Sequence, residues 1–354
     1  MSVLTPLVIS GSPYEIGFGL GVLARPVINA YMNQSAAWKA VSQWRGSDYV
    51  RDLRRIAEDA YPDAIAELDG MSVGMGWTKE DVFLWNCRGE LIHNAPDGCT
   101  TLAARSGRER FVAHNEDGDP YLRDKCSLVD IRPTGKPGFV SFYYPGSLPG
   151  HTFAVNRTGV VQAINNLRIK CPQLGVPRMV LCRAVLDTTS LDDASHALCR
   201  HARASGFHHT LGCVGDERVL SVEATVARCS IENIERLSGH ANHLIHRGAD
   251  AEQQLVTDSS RDRQARLGQL LPEMHEVNEF ALLQVLFDKT STTLPIYRAD
   301  PADPDDENTL ATALFVIKEA GVEFEVRQQG ELRFKTFILQ ATSARASSQT
   351  LRPA

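Results

Sequence analysis

From Pro13 to Leu91 the apolar positions recur at helical spacing, and beyond Cys99 they gather into strand-length runs split by turn residues. The first helix starts at Ser12-Pro13-Tyr14-Glu15. Serine caps, proline takes the first helical position, and Glu15 completes a capping box. Leu20, Val22, Leu23, Val27, Ile28, Tyr31 and Met32 carry the helix on. Gly17, Gly19 and Gly21 are poor helix formers, so their presence predicts close packing against another element. Alternate glycines after a cap, with no preceding strand, do not form a dinucleotide-binding loop. Further helices are expected over Tyr49–Tyr61, Asp63–Met75 and Lys79–Leu91, punctuated by Pro62 and Gly74–Gly76. Asn94-Ala-Pro-Asp-Gly then breaks the chain.

Strands are expected at Thr100–Ala104 and Phe111–His114, joined by the turn Ser106-Gly-Arg-Glu, and at Val129–Arg132, Phe139–Tyr144, Phe153–Asn156 and Val160–Asn165. Helices follow over Pro177–Leu186 and Leu191–Ala202. Strands return at Thr210–Val214, Val219–Ala224, Ala227–Ile231 and His240–Asn242, then helices over Ser259–Leu271 and Val277–Phe287. The run from Arg298 to Asn308 reads as an exposed acidic loop. A meander through Ala311–Lys318, Gly321–Gln328 and Arg333–Leu339 ends the ordered chain, and residues 341–354 read as a weakly ordered tail. Runs of strands, then helices, then strands point to an α+β fold, with sheets covered by helical layers and no regular βαβ alternation.

Composition narrows the function classes. The chain has 354 residues, 43% hydrophobic and 23% charged, enough for one large domain or two ordinary ones. A net charge of −6 without a basic run gives no reason to expect nucleic acid. The N-terminus lacks the basic start of a signal peptide, and no apolar run approaches the ~20 residues of a membrane span, so a cytoplasmic location away from membranes is expected. The eight cysteines form no C-x-x-C pair, and most read as buried free thiols in a reducing compartment. His201, His208 and His209, and likewise His240, His243 and His246, lack a cysteine or carboxylate at zinc spacing. Neither a metal nor a cofactor is expected.

The chemistry centres on Gly98-Cys99. A residue without a side chain leaves the preceding carbonyl open to the thiol, and cleavage there frees the α-amine of Cys99. That amine, with a reference pKa of about 7.7–8.0, is a competent general base at neutral pH. Alone, the dipeptide is weak evidence and reads as an ordinary turn. Asp117 ends the second strand of the hairpin, which returns it beside the start of the first, although Asn115-Glu-Asp-Gly-Asp also has turn chemistry.

Cys99-Thr-Thr-Leu-Ala and Ala113-His-Asn-Glu-Asp117-Gly, together with Asn165 and Asn242, resemble the acyl-coenzyme A:6-aminopenicillanic acid acyltransferases. These are also called isopenicillin N acyltransferases and are grouped with the C45 peptidases among N-terminal nucleophile (Ntn) hydrolases. Further pieces occur in order over about residues 9 to 340: Gly11-Ser-Pro-Tyr-Glu-Ile-Gly, Val155-Asn-Arg-Thr-Gly-Val, Gly175-Val-Pro-Arg, Ala241-Asn-His and Ser260-Arg-Asp-Arg-Gln. The resemblance implies a four-layer αββα Ntn fold with a mostly helical N-terminal segment. It implies self-cleavage between Gly98 and Cys99 into chains 1–98 and 99–354, the core spanning 99–340, held together as an α/β heterodimer that can oligomerise further. Cys99 would be the nucleophile, Asp117 the residue holding the new amine, and Asn242 the donor to the oxyanion. Asn165, or Asn166 after a one-residue register shift, would line the site, and Arg298 in Pro295-Ile-Tyr-Arg would stand near the nucleophile. The implied partners are a small-molecule amide or acyl donor and an amine acceptor, reacting through a thioester.

Glu116 and Gly118 depart from the aromatic residues that commonly flank the aspartate, and Ala241 replaces a threonine, so a penicillin-specific role is not expected. Two other readings keep the fold: a non-catalytic small-molecule binder, and a thiol hydrolase that is never cut. A papain-like enzyme lacks its local cysteine signature here.

Overall fold

The computed structural model describes residues 3–92, 97–300 and 302–339; the 341–354 tail and most of the Asn94–Gly98 break lie outside them. The first helix, α1 (Pro13–Gln34), is capped as its sequence predicts. Glu15 N–H donates to Ser12 Oγ at 3.4 Å, and Ser12 N–H donates to the Glu15 carboxylate at 2.8 Å. It is followed by α2 (Ala36–Val41), α3 (Asp48–Ala60), α4 (Pro62–Met75), α5 (Lys79–Asn86) and α6 (Arg88–Leu91). The helix glycines form a backbone-to-backbone seam between α1 and α4. A Cβ on Gly17 would lie 1.7 Å from the Glu67 carbonyl oxygen, and one on Gly74 would lie 2.2 Å from that of Phe18.

The strands form two sheets. The first has the order β1 (Leu7–Gly11), β4 (Ser127–Pro133), β5 (Phe139–Tyr143), β6 (Phe153–Asn156), β7 (Val160–Leu167), β8 (Gly206–Cys213), β9 (Val219–Ala224) and β10 (Cys229–Asn233). The second has the order β11 (Leu237–His240), β2 (Asp97–Ser106), β3 (Glu109–Gly118), β12 (Asn308–Ile317), β13 (Gly321–Gln328) and β14 (Glu331–Leu339). Helices α1, α7 (Arg178–Val185) and α8 (Leu191–Cys199) lie on the first sheet, while α9 (Asp258–Glu273) and α10 (Glu279–Leu286) lie on the second. The two sheets face each other through β2, β3, β7 and β8, which completes four layers.

Alternation along β2 and β3 divides the core. Leu102, Ala104, Phe111 and Ala113 pack with Leu267, Leu282 and Leu286 under the second sheet's helices. Ala103 and Val112 join the main core between the sheets, which continues into Leu20, Leu68 and Phe83 of the N-terminal helices. That shared core ties the segment before Cys99 to everything after it. Among the described residues, no helix is long and apolar enough to cross a membrane.

Four sequence expectations are corrected. Leu7–Gly11 forms a half-exposed edge strand, paired in parallel with β4, where none was expected. The strand expected at His240–Asn242 stops at His240, leaving Asn242 beyond its end. The acidic run after Arg298 is not wholly exposed: Asp303 and Glu307 are buried because the Arg298 guanidinium gathers both carboxylates. Finally, Cys199 and Cys229 are joined as a disulfide between the end of α8 and β10. Of the free cysteines, Cys171 is exposed and Cys87, Cys99, Cys126, Cys182 and Cys213 are buried.

Candidate active site

Cys99 sits near the start of β2, in the middle of the second sheet. The antiparallel register sets Cys99 opposite Glu116 and Gly98 opposite Asp117. Successive side chains point to opposite faces, so Cys99, Thr101, His114 and Glu116 share the face between the sheets, while Thr100, Asn115 and Asp117 point towards the helices. Cys99 is only 4% exposed. Its thiol donates to Glu116 Oε2 at 3.8 Å, and the same oxygen lies 3.0 Å from His114 Nε2. Tyr144 donates its hydroxyl hydrogen to Glu116 Oε1 at 2.8 Å. Thr101 Oγ1 lies 2.7 Å from His114 Nδ1.

The backbone of Cys99 is held from a distant part of the chain. Its N–H donates to Asn242 Oδ1 at 2.9 Å. Arg263 of α9 donates to the same oxygen at 2.6 Å, to Thr100 Oγ1 at 3.0 Å and to the Cys99 carbonyl. Asn242 Nδ2 donates to the Asn166 carbonyl at 3.2 Å. Asn242 therefore presents its oxygen to the Cys99 nitrogen.

Two buried carboxyl groups flank the Gly98–Cys99 bond. Asp117 Oδ1 accepts from Thr309 Oγ1 at 2.7 Å, and Oδ2 has no hydrogen-bond partner among the described residues. Burial pushes its pKa up to about 6, against the opposing pull of Arg263 and Arg298. Glu307 lies against Gly98, where a Cβ would stand 2.3 Å from Glu307 Oε2. Burial pushes Glu307 up to about 7, opposed by Arg298, Arg168 and Arg263. A side chain at position 98 would have to displace the Glu307 carboxyl group, which Arg298 holds.

Arg298 stands one step back. It donates to Glu307 at 2.5 Å, to Ser259 Oγ at 2.9 Å and to Asp303 at 2.9 Å, and so reaches the bond through Glu307. Asn165, and not Asn166, faces the site: Asn165 Oδ1 accepts from Thr101 Oγ1 at 2.7 Å, while Asn166 Oδ1 accepts from Arg178. The structure thus brings Gly98, Cys99, Asp117, Asn165 and Asn242 together and sets Arg298 just behind them.

His208 and His240 stack at 3.6 Å and bond to Asn165, Ser221 and Glu223. Among the described residues, one group has ligand atoms close enough for a metal: those of Cys99, His114 and Glu116 lie within 4.8 Å of one another. The 3.0 Å between His114 and Glu116 is a hydrogen-bond distance, shorter than the ~3.3 Å that nitrogen and oxygen ligands keep around tetrahedral zinc.

Sequence reasoning did not select His114, Glu116, Arg263 or Glu307 as site residues. His114, Glu116 and Arg263 stand inside the family-like motif pieces, which was a usable signal. Glu307 gave none, being one acid among several in an acidic run. A cavity of about 350 Å³, lined by Arg105, Arg108, Arg110 and Glu217, opens at the other end of the hairpin, away from Cys99.

Two facing sheets sheathed by helices, with a buried cysteine at the head of a central strand, define an α+β protein of Ntn-like fold. The chain belongs to the acyl-coenzyme A:6-aminopenicillanic acid acyl-transferase family, whose model matches residues 104–331. The matched stretch begins at Ala104, just beyond Cys99. The chain is also similar to the β-alanyl-dopamine/carcinine hydrolase of Drosophila melanogaster. The two are 24% identical over 351 aligned positions, which cover 86% of this chain and 88% of the relative. Membership places the chain in an enzyme family of acyltransferases and hydrolases.

Proposed function

We propose that this protein is a self-processing N-terminal cysteine amidohydrolase or acyltransferase, cut between Gly98 and Cys99. The observation that carries this reading is the environment of that bond. The Cys99 nitrogen is held by Asn242, the thiol has hydrogen-bonding groups on one face, and Asp117 and Glu307 lie on the other. Such surroundings suit a bond that breaks to leave an amine, because the carboxyl groups can then ionise beside an ammonium. In the mature enzyme Cys99 attacks an amide or thioester carbonyl, its own amine carries the proton, and water or an amine resolves the thioester. Asn242 takes part in both steps, first on the nitrogen of Cys99 and then, by its amide N–H, on the oxyanion.

The relative's name supports hydrolysis of small amides such as β-alanyl-dopamine or carcinine over penicillin chemistry. Glu116 and Gly118 point the same way, standing where aromatic residues are common in the family. Intact mass is the direct test. Two chains, 1–98 and 99–354, are expected, and Cys99→Ala should give one uncut, inactive chain. An active wild-type protein that stays whole would support the uncut thiol hydrolase instead. A whole, inactive protein whose Cys99 resists acyl probes would support the binding protein.

A further inference from the structure

Hydrogen-bond directions constrain the proton positions beside Cys99. Asn165 Nδ2 donates to the His240 carbonyl at 3.1 Å, so Oδ1 is the accepting end of that amide. It takes Thr101 Oγ1–H at 2.7 Å and His208 Nδ1–H at 2.9 Å. Thr101 has a single hydroxyl hydrogen, already given to Asn165. Towards His114 Nδ1 it is therefore an acceptor, and Nδ1 carries a hydrogen. Burial disfavours an isolated imidazolium, so in the resting chain His114 Nε2 presents a lone pair, and a thiolate formed beside it supplies the opposing charge that a protonated His114 needs. That lone pair faces Glu116 Oε2 at 3.0 Å, a contact that needs a proton between the two atoms. A proton shared between Glu116 Oε2 and His114 Nε2 meets that need, and the same Oε2 also receives the Cys99 thiol at 3.8 Å.

Before cleavage the nitrogen of Cys99 is an amide and cannot serve as a base. We propose that Glu116 and His114 are the proton acceptor for the Cys99 thiol in the uncut chain. The proton of Sγ passes to Glu116 Oε2 as the Glu116 proton passes to His114 Nε2. Sγ then bonds to the Gly98 carbonyl carbon. The bond from that carbon to the Cys99 nitrogen breaks, and the pair returns one proton to the departing nitrogen. Water splits the resulting thioester into the Gly98 carboxylate and the Cys99 thiol. This role in maturation rests on the self-processing reading, whereas thiol activation does not. Among the described residues, the titratable groups facing the pair include Cys99 from β2, Tyr144 beyond β5, Cys126 ahead of β4 and, past Asn165, His208 of β8.

Glu116→Gln keeps the shape and can still donate to His114 Nε2, but it cannot take the thiol's proton. Intact mass followed on freshly synthesised full-length chain should show cleavage slowed by about 10²–10⁴ in Glu116→Gln, with slowing also in His114→Gln and partial recovery in Glu116→Asp. The rate of the Gln variant should also lose the pH dependence of the wild type. Cleavage of Glu116→Gln at the wild-type rate overturns the proposal and leaves self-processing standing. If wild type never cuts, self-processing falls, and iodoacetamide alkylation of Cys99 in the whole chain, followed by peptide mass, decides the rest. Slower alkylation in both Gln variants upholds the pair as the thiol's base, and unchanged alkylation overturns it.

Discussion

Asn242 Oδ1 accepts two hydrogen bonds, from Cys99 N–H and from the Arg263 guanidinium. Truncation to alanine leaves both donors buried without their acceptor and removes the amide N–H proposed for the oxyanion. Asn242→Ala should lower turnover about 10²–10³-fold, measured as kcat per folded protein. Gly98 makes a different demand. Its Cα lies against a Glu307 oxygen that Arg298 holds in place, so an added methyl has little room. On an uncut Cys99→Ala background, Gly98→Ala should destabilise by about 1–3 kcal/mol in denaturant titration. Shortening the neighbour with Glu307→Asp should recover part of the loss. Equal losses with and without that second change would mean the clash lies elsewhere. At this scale the sequence pointed to Cys99, Asp117, Asn165 and Asn242, and the fold brings the four together. Arg263 lay inside a motif piece without being singled out, while Glu307 acts through contacts across the fold, where local patterns carry little information.

Elements were legible where local chemistry and tertiary packing agree. The cap of α1 is written in four adjacent residues, and the strand at Phe153–Asn156 matches its expected bounds. Where the two disagree, packing wins. Asn115-Glu-Asp-Gly has turn chemistry, yet β3 runs through it to Gly118 because β2 and β12 pair with it on either side. The edge strand β1 escaped notice because its burial does not alternate cleanly and its partner β4 lies far along the chain. The helix glycines signalled close packing, but only the structure names the surface they meet. A Cβ on Gly70 would stand 1.9 Å from the Tyr14 carbonyl oxygen, a backbone atom that cannot swing aside. Gly70→Ala should therefore force α1 and α4 apart and lower the melting temperature well beyond the effect of Gly107→Ala. Gly107, at φ +58°, has no atom within 4 Å of an added Cβ, so that substitution registers backbone strain alone.

At the scale of the whole molecule, the uncut chain buries two carboxyl groups around one peptide bond. The folded-state pKa values of Asp117 and Glu307, about 6 and about 7, lie above the ordinary carboxylate values of about 3.9 and 4.3. The folded chain therefore binds more protons than the unfolded chain between about pH 4 and pH 7. The stability these groups contribute is fully present below that window and is lost as pH rises through 6 and 7. Cleavage reverses the balance if it places an ammonium on the Cys99 nitrogen. A positive charge beside the carboxyl groups favours their ionised forms and draws both pKa values down, so the cut protein loses less stability over the same interval. Melting temperatures at pH 5 and pH 8 compare the two states directly, with Cys99→Ala as the uncut chain and processed wild type as the cut one. The uncut chain should fall further, and adding Asp117→Asn to it should flatten its pH response. Parallel curves for the two forms would mean that the new amine does not reach the carboxyl groups, and the electrostatic drive for maturation would have to be abandoned.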